Sequence, residues 1–157
     1  ISQYINQHKS SYKFFNYNND VLASMELYNY NEAAKEYEFS GLHTYSFYQD
    51  GNVKEEITYT VNPFTGQLIK QMTIEYSDYD NKFNAEELVR QVPYYYGVVR
   101  MKNNPGKRVV KRESNGMITT FNSQFTYDQG AKPLTKKFLY QDPSGVLIET
   151  NTQFYYY

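Results

Sequence analysis

The chain has 157 residues, enough for one domain with its own core, and carries 17 acidic against 16 basic side chains. It has no cysteine, which excludes disulfides, thiol catalysis and thiolate metal sites, and no apolar run long enough to form a membrane-spanning helix. Aromatics make up 18% of it, as 19 Tyr and 10 Phe with no Trp. Tyr and Phe suit the pleated, half-buried surface of a sheet.

Taken in chain order, the spacing of Ile1, Tyr4, Ile5 and His8 is that of a helix over 1–9. Strands are expected at 12–17, 21–30 and 36–48. Asn18-Asn19-Asp20 breaks the first pair, and Asn, Asp and Gly tolerate the positive φ that tight hairpin turns need. Asp50-Gly51-Asn52 precedes a strand at 53–61, where Val53, Ile57, Tyr59 and Val61 alternate with Lys54, Glu56, Thr58 and Thr60. Asn62-Pro63-Phe64-Thr65-Gly66 turns into 67–76, where Leu68, Met72, Ile74 and Tyr76 alternate with Gln67, Gln71, Thr73 and Glu75. A short helix is expected at 85–92, with Asn84 as cap, Glu87 in capping-box position and Pro93 as its end.

Strands follow at 95–102, 107–113, 117–127, 134–140 and 146–156, separated by Asn115-Gly116, Asp128-Gln129-Gly130 and Asp142-Pro143-Ser144-Gly145. The period of two gives one wet face and one dry face, which antiparallel sheets permit. The expected fold is all-β: a single domain over 1–157, an antiparallel meander of about ten strands in a large curled sheet, with one short helix. Half-barrel, barrel and sandwich all remain open at this point.

Charge is uneven along the chain. Residues 1–89 hold 13 acidic and 6 basic side chains, and residues 90–157 hold 4 and 10. The densest basic stretch contains Arg100, Lys102, Lys107, Arg108, Lys111 and Arg112. Such a stripe beside aromatics can bind phosphate backbones, but the pI of about 6.2 speaks against a nucleic-acid module. Oppositely charged strands pairing across one sheet explain it as well.

Catalytic constellations are thin. His8 and His43 stand far apart in the sequence, and His43 reads as a sheet histidine on the face of Tyr45 and Phe47. No nucleophile elbow or phosphate-binding glycine loop is present. Asp78 and Asp80 begin an alternation like that of a calcium loop, but Val89 stands where a bidentate Glu is needed. No catalytic residue, metal ligand or cofactor is therefore assigned. The candidate binding residues are Tyr94, Tyr95 and Tyr96, because consecutive strand tyrosines point to both faces and an exposed one can stack on a sugar ring.

The recurring unit of aromatic, Asx, Gly and aliphatic resembles the tyrosine–aspartate repeats of bacterial surface proteins. The block from Glu75 to Asn84, the basic stretch 100–112 and the last hairpins ending in Phe154-Tyr155-Tyr156-Tyr157 are similar in order to uncharacterised all-β lipoproteins exported by Bacteroides-type bacteria. Ala85 departs from the proline common after that block. The resemblance implies an exported, cell-envelope protein held by a lipid anchor upstream of Ile1. It transfers no activity. The expected function is a non-enzymatic surface module binding a glycan or protein. The alternatives are a carrier of a hydrophobic ligand in the curled sheet and a hydrolase using two carboxylates.

Overall fold

The computed structural model describes residues 2–5, 10–19, 21–82, 84, 101–142 and 144–155. They form ten strands: β1 (Ser2–Ile5), β2 (Ser11–Asn18), β3 (Val21–Asn31), β4 (Glu36–Phe47), β5 (Val53–Val61), β6 (Leu68–Tyr79), β7 (Pro105–Arg112), β8 (Ile118–Tyr127), β9 (Pro133–Gln141) and β10 (Leu147–Phe154). All lie in one sheet in sequential order, joined by antiparallel ladders. Among the described residues no ladder joins β1 to β10, so the meander is an open curled sheet. Neither the closed barrel nor the two-layer sandwich forms.

The turns work as their residue types demand. At each of several hairpins the first Asx side chain accepts backbone N–H groups two to four residues on. Asp50 accepts from Asn52, Asn62 from Phe64 and Thr65, Asn115 from Met117, Asp128 from Lys132, and Asp142 from Ser144 and Val146. Gly51, Gly66, Gly116 and Gly145 supply the left-handed conformation. In the β2–β3, β3–β4 and β8–β9 turns Asn19, Lys35 and Ala131 take it instead, at φ 48°, 56° and 61°, the last although Gly130 stands beside it.

Residues 2–5 correct the helical expectation for 1–9. Their backbone pairs with Tyr12–Phe15 of β2, and this ladder overrides the helical spacing of their side chains. The short helix expected at 85–92, and most of the strand expected at 95–102, lie outside the described residues. Among those described there is no helix.

Register divides the side chains between two faces. The face called inner here carries Phe15, Met25, Leu27, His43, Tyr45, Glu56, Thr58, Met72, Ile74 and Tyr76. Beyond them it continues through Arg108, Val110, Phe121, Phe125, Lys136, Phe138 and Tyr140. Its core lies at the N-terminal end, where Phe15, Leu22 and Met25 are buried together with Leu27 and Tyr45 packed against them. Val53 and Val110 continue the buried line. A single-layer sheet leaves most strand residues half-buried, and its C-terminal strands keep large apolar side chains in water, with Ile118 64% and Phe154 59% exposed.

Candidate functional site

The inner face of β6–β9 is where aromatic rings, cations and open space come together. Two adjoining cavities lie along it. One, of about 140 Å³, is lined by Tyr76, Arg108, Phe121, Phe125, Lys136 and Phe138, with Asn84 and Asn104 at one end. The other, of about 210 Å³, is lined by Met72, Ile74, Val110 and Arg112, and the two share Arg108 and Phe121. The described walls of both carry no carboxylate.

Strand pairing builds the groove. Tyr76 stands opposite Arg108, Arg108 opposite Phe121, Phe121 opposite Tyr140, Ser123 opposite Phe138 and Phe125 opposite Lys136. Each such pair brings side chains within about 5 Å on the same face. The Arg108 guanidinium lies 4.7 Å over the Phe121 ring. The Lys136 ammonium lies 5.5 Å over Phe125 and 4.6 Å over Phe138. Cations placed over ring faces are attracted by the ring quadrupole.

One end of the groove is fixed by a buried asparagine clamp. Asn103 donates its backbone N–H to the Asn52 side chain, and Asn52 returns its amide to Asn103. Asn103 also donates to the Lys82 carbonyl, and Asn84 to that of Met101. Asn104 donates to both oxygens of Asp80, and the Tyr127 hydroxyl donates to Asp80 as well. Asn52, Asn84 and Asn104 are buried. Burial, then the bond to Asp80, pushes the Tyr127 hydroxyl well above the usual phenol range. The backbone and side-chain donors of Asn52 hold Asp50 below the usual carboxylate range.

The clamp accounts for the calcium-like alternation. Asp80 receives the Lys82 N–H, both Asn104 donors and the Tyr127 hydroxyl, so donors surround the carboxylate that a cation would need. Among the described residues no cluster of three metal-ligating side chains occurs. His43 sits on the inner face, its Nδ1 3.4 Å from Glu56 Oε1.

A second aromatic surface occupies the outer face of β2–β4. Tyr12 and Tyr28 stack at 4.5 Å with their planes 6° apart, and Tyr37, Phe39 and Tyr30 pack around them at 4.8–5.5 Å. Tyr12 and Tyr28 cover one face of each other and the remaining rings meet at an angle, so the cluster joins three strands. Hydrogen bonding to Glu26, then burial, raises the Tyr28 hydroxyl to about 12.

The sequence-based candidates Tyr94, Tyr95 and Tyr96 lie outside the described residues. Arg108, Phe121, Phe125, Lys136 and Phe138 were not singled out as a site by sequence reasoning. The signal available was the alternation in Lys107-Arg108-Val109-Val110-Lys111-Arg112, which sends the two arginines to one face and the two lysines to the other. Lys111 lies 3.6 Å from Glu113. Among the described residues no carboxylate lies within 4.0 Å of Arg108 or Arg112.

No protein-family model matches the chain, and no curated protein matches it. Solved structures do. A protein of unknown function from Bacteroides fragilis aligns over 92% of this chain and 91% of its own, with 12% identity and a TM-score of 0.58. A porin-like protein from Bacteroides vulgatus aligns over 94% of this chain and 66% of its own, with 14% identity and a TM-score of 0.61. A DUF3836 family protein from Parabacteroides distasonis aligns over 90% and 83%, with 8% identity and a TM-score of 0.40. The first two share the fold of this chain, and these structural neighbours are uncharacterised Bacteroides-type proteins.

Proposed function

We propose that the chain is a non-enzymatic binding module of the bacterial cell envelope. It is exported, held by a lipid anchor upstream of residue 1, and offers the inner face of its sheet to a glycan or protein. The observation that carries this reading is the open groove on β6–β9, where rings and cations converge and the described walls hold no acid for hydrolysis. The porin-like name of one structural neighbour supports the envelope placement.

The cavity volumes weigh against the hydrophobic-carrier reading at this groove. Sites that enclose drug-sized ligands occupy roughly 300–1,000 Å³, while the two spaces of this groove measure about 140 and 210 Å³. A separate space of about 450 Å³ beside Val21, Ala23, Tyr45 and Phe47 reaches that size and leaves the carrier reading for the other end of the sheet. The split of the β7 cations between two faces weighs against a continuous phosphate-tracking stripe.

The test is a thermal-shift screen of the purified chain against soluble glycans and fatty acids. A ligand that binds only the folded state raises the melting temperature with its concentration. A glycan that does so, and loses its effect in Phe121→Ala, supports the module. A fatty-acid response without a glycan response replaces it with the carrier.

A further inference from the structure

We infer that the groove takes an acidic oligosaccharide, with Arg108 and Arg112 recognising its carboxylates. This rests on the binding-module reading and names the ligand class for the same face.

Alternation along β7 sends its lysines and its arginines to opposite faces. On the outer face Lys111 has Glu113 at 3.6 Å. On the inner face Arg108 and Arg112 line cavities whose described walls hold no acid. A cation–ring contact, as Arg108 makes with Phe121 at 4.7 Å, does not use up the in-plane N–H fork of a guanidinium. That fork matches a carboxylate bidentately.

Spacing then selects a polymer over a small anion. Arg108 and Arg112 are four residues apart on one strand, so their Cα atoms stand about 13 Å apart. A single carboxylate reaches one of them; a chain with repeated carboxylates reaches both. Val110, flanked by Ile74 and Thr119, lies between them, and the rings of Tyr76, Phe121, Phe125 and Phe138 gather beside Arg108, so both stretches offer apolar surface to the C–H faces of sugar rings.

The 140 Å³ space beside Arg108 is close to the roughly 150 Å³ that holds one benzene ring, so it admits one six-membered ring of a longer chain. An acidic peptide backbone carries the charge without such rings, and oligothymidylate carries both, so the two are the competitors to test.

The experiment is calorimetric titration of the full chain at low and high salt with tetragalacturonate, neutral cellotetraose, hexaglutamate and oligothymidylate. The variants are Arg108→Gln, Arg112→Gln and the outer-face control Lys111→Gln. Each is checked for fold by circular dichroism. The expected result is binding of tetragalacturonate that salt weakens, with each arginine variant weaker by about tenfold and Lys111→Gln unchanged. Cellotetraose bound as tightly, with no effect of the arginine variants, overturns the acidic assignment and leaves the binding module standing. Hexaglutamate or oligothymidylate bound as tightly overturns the sugar assignment. No glycan bound at all overturns this inference and leaves the module reading with a protein partner only.

Discussion

Asp80 and Asn104 close the two ends of the β6–β7 connection on each other. Asp80 donates its backbone N–H to the Asn104 carbonyl at 3.1 Å, and Asn104 returns its own N–H to the Asp80 carboxylate at 3.1 Å. The Asn104 side chain is 2% exposed and the Tyr127 hydroxyl donates to the same carboxylate. Removing Asp80 leaves buried donors without their acceptor, which costs about 2–3 kcal/mol. Urea denaturation of Asp80→Ala checks this. Asp80→Asn, which keeps one carbonyl oxygen, loses less. A midpoint for Asp80→Ala equal to that of the parent would show that the clamp contributes nothing to stability.

Glu55 and Glu75 stand directly opposite each other on the outer face of β5 and β6. Like charges in that position destabilise a ladder. Glu75→Lys converts the pair to opposite signs and raises stability by about 0.2–1 kcal/mol. The gain shrinks at high salt, because Glu75 is exposed and its field is screened. A gain that is independent of salt would point to strand propensity instead.

The alternating strands were legible because their period matched the pleat. Those at 53–61, 67–76 and 117–127 are found as β5, β6 and β8 with shifts of one or a few residues at their ends. β1 was not legible. Four residues carry no periodicity of their own, and Tyr4 and Ile5 fit a helix as well as a strand until β2 pairs with them. The groove was half legible. Met72, Ile74, Phe121 and Phe125 read as one apolar face, but their neighbours Lys136 and Phe138 join them only through the β8–β9 register. That register includes a bulge between Thr126 and Tyr127, which no turn motif announces.

Two backbone positions test the turn chemistry from opposite sides. Ala131 holds a left-handed φ of 61°, a conformation that costs a residue with a Cβ about 1–2 kcal/mol. Ala131→Gly relieves that strain and, after the greater chain entropy of Gly, stabilises by about 0.5–1 kcal/mol. Gly106 is the converse. A Cβ there would meet the Asp78 carbonyl oxygen at 2.6 Å, so Gly106→Ala forces β6 and β7 apart and costs about 1–3 kcal/mol. Thermal melts of the two variants should move in opposite directions. Equal or inverted shifts would refute the assigned backbone.

Acid should weaken the fold through three carboxylates, two in turns and one on β10. The Ser144 hydroxyl and then the Val146 N–H hold Asp142 below its ordinary 3.8. Asn52 donors do the same for Asp50, and Thr152 with Lys137 hold Glu149 below 4.5. A depressed folded pKa means stability that is full above the unfolded value and lost as pH falls through the folded one. The melting temperature should therefore hold steady down to about pH 4.5 and decline below it. Asp142→Asn keeps the accepting oxygen without the charge, so its decline should be shallower. An unchanged slope in that variant would assign the acid sensitivity to other groups.

Alkali should act on the tyrosines from the other side. Burial pushes Tyr45 and Tyr79 above the usual phenol range, and the bond to Glu26 raises Tyr28 to about 12. A raised folded pKa means stability that is full below the unfolded value near 10.0 and lost as pH climbs toward the folded one. Phenolate absorbance of the folded chain should thus rise through pH 10 in only part of its 19 tyrosines, with the remainder ionising in a second step as the fold is lost. The bond to Glu26 makes Tyr28 separable: Glu26→Gln removes the charge that resists its ionisation and should bring one phenol back toward the ordinary range. A single-step titration of all tyrosines, with no loss of strand signal by circular dichroism, would contradict the burial of Tyr45 and Tyr79.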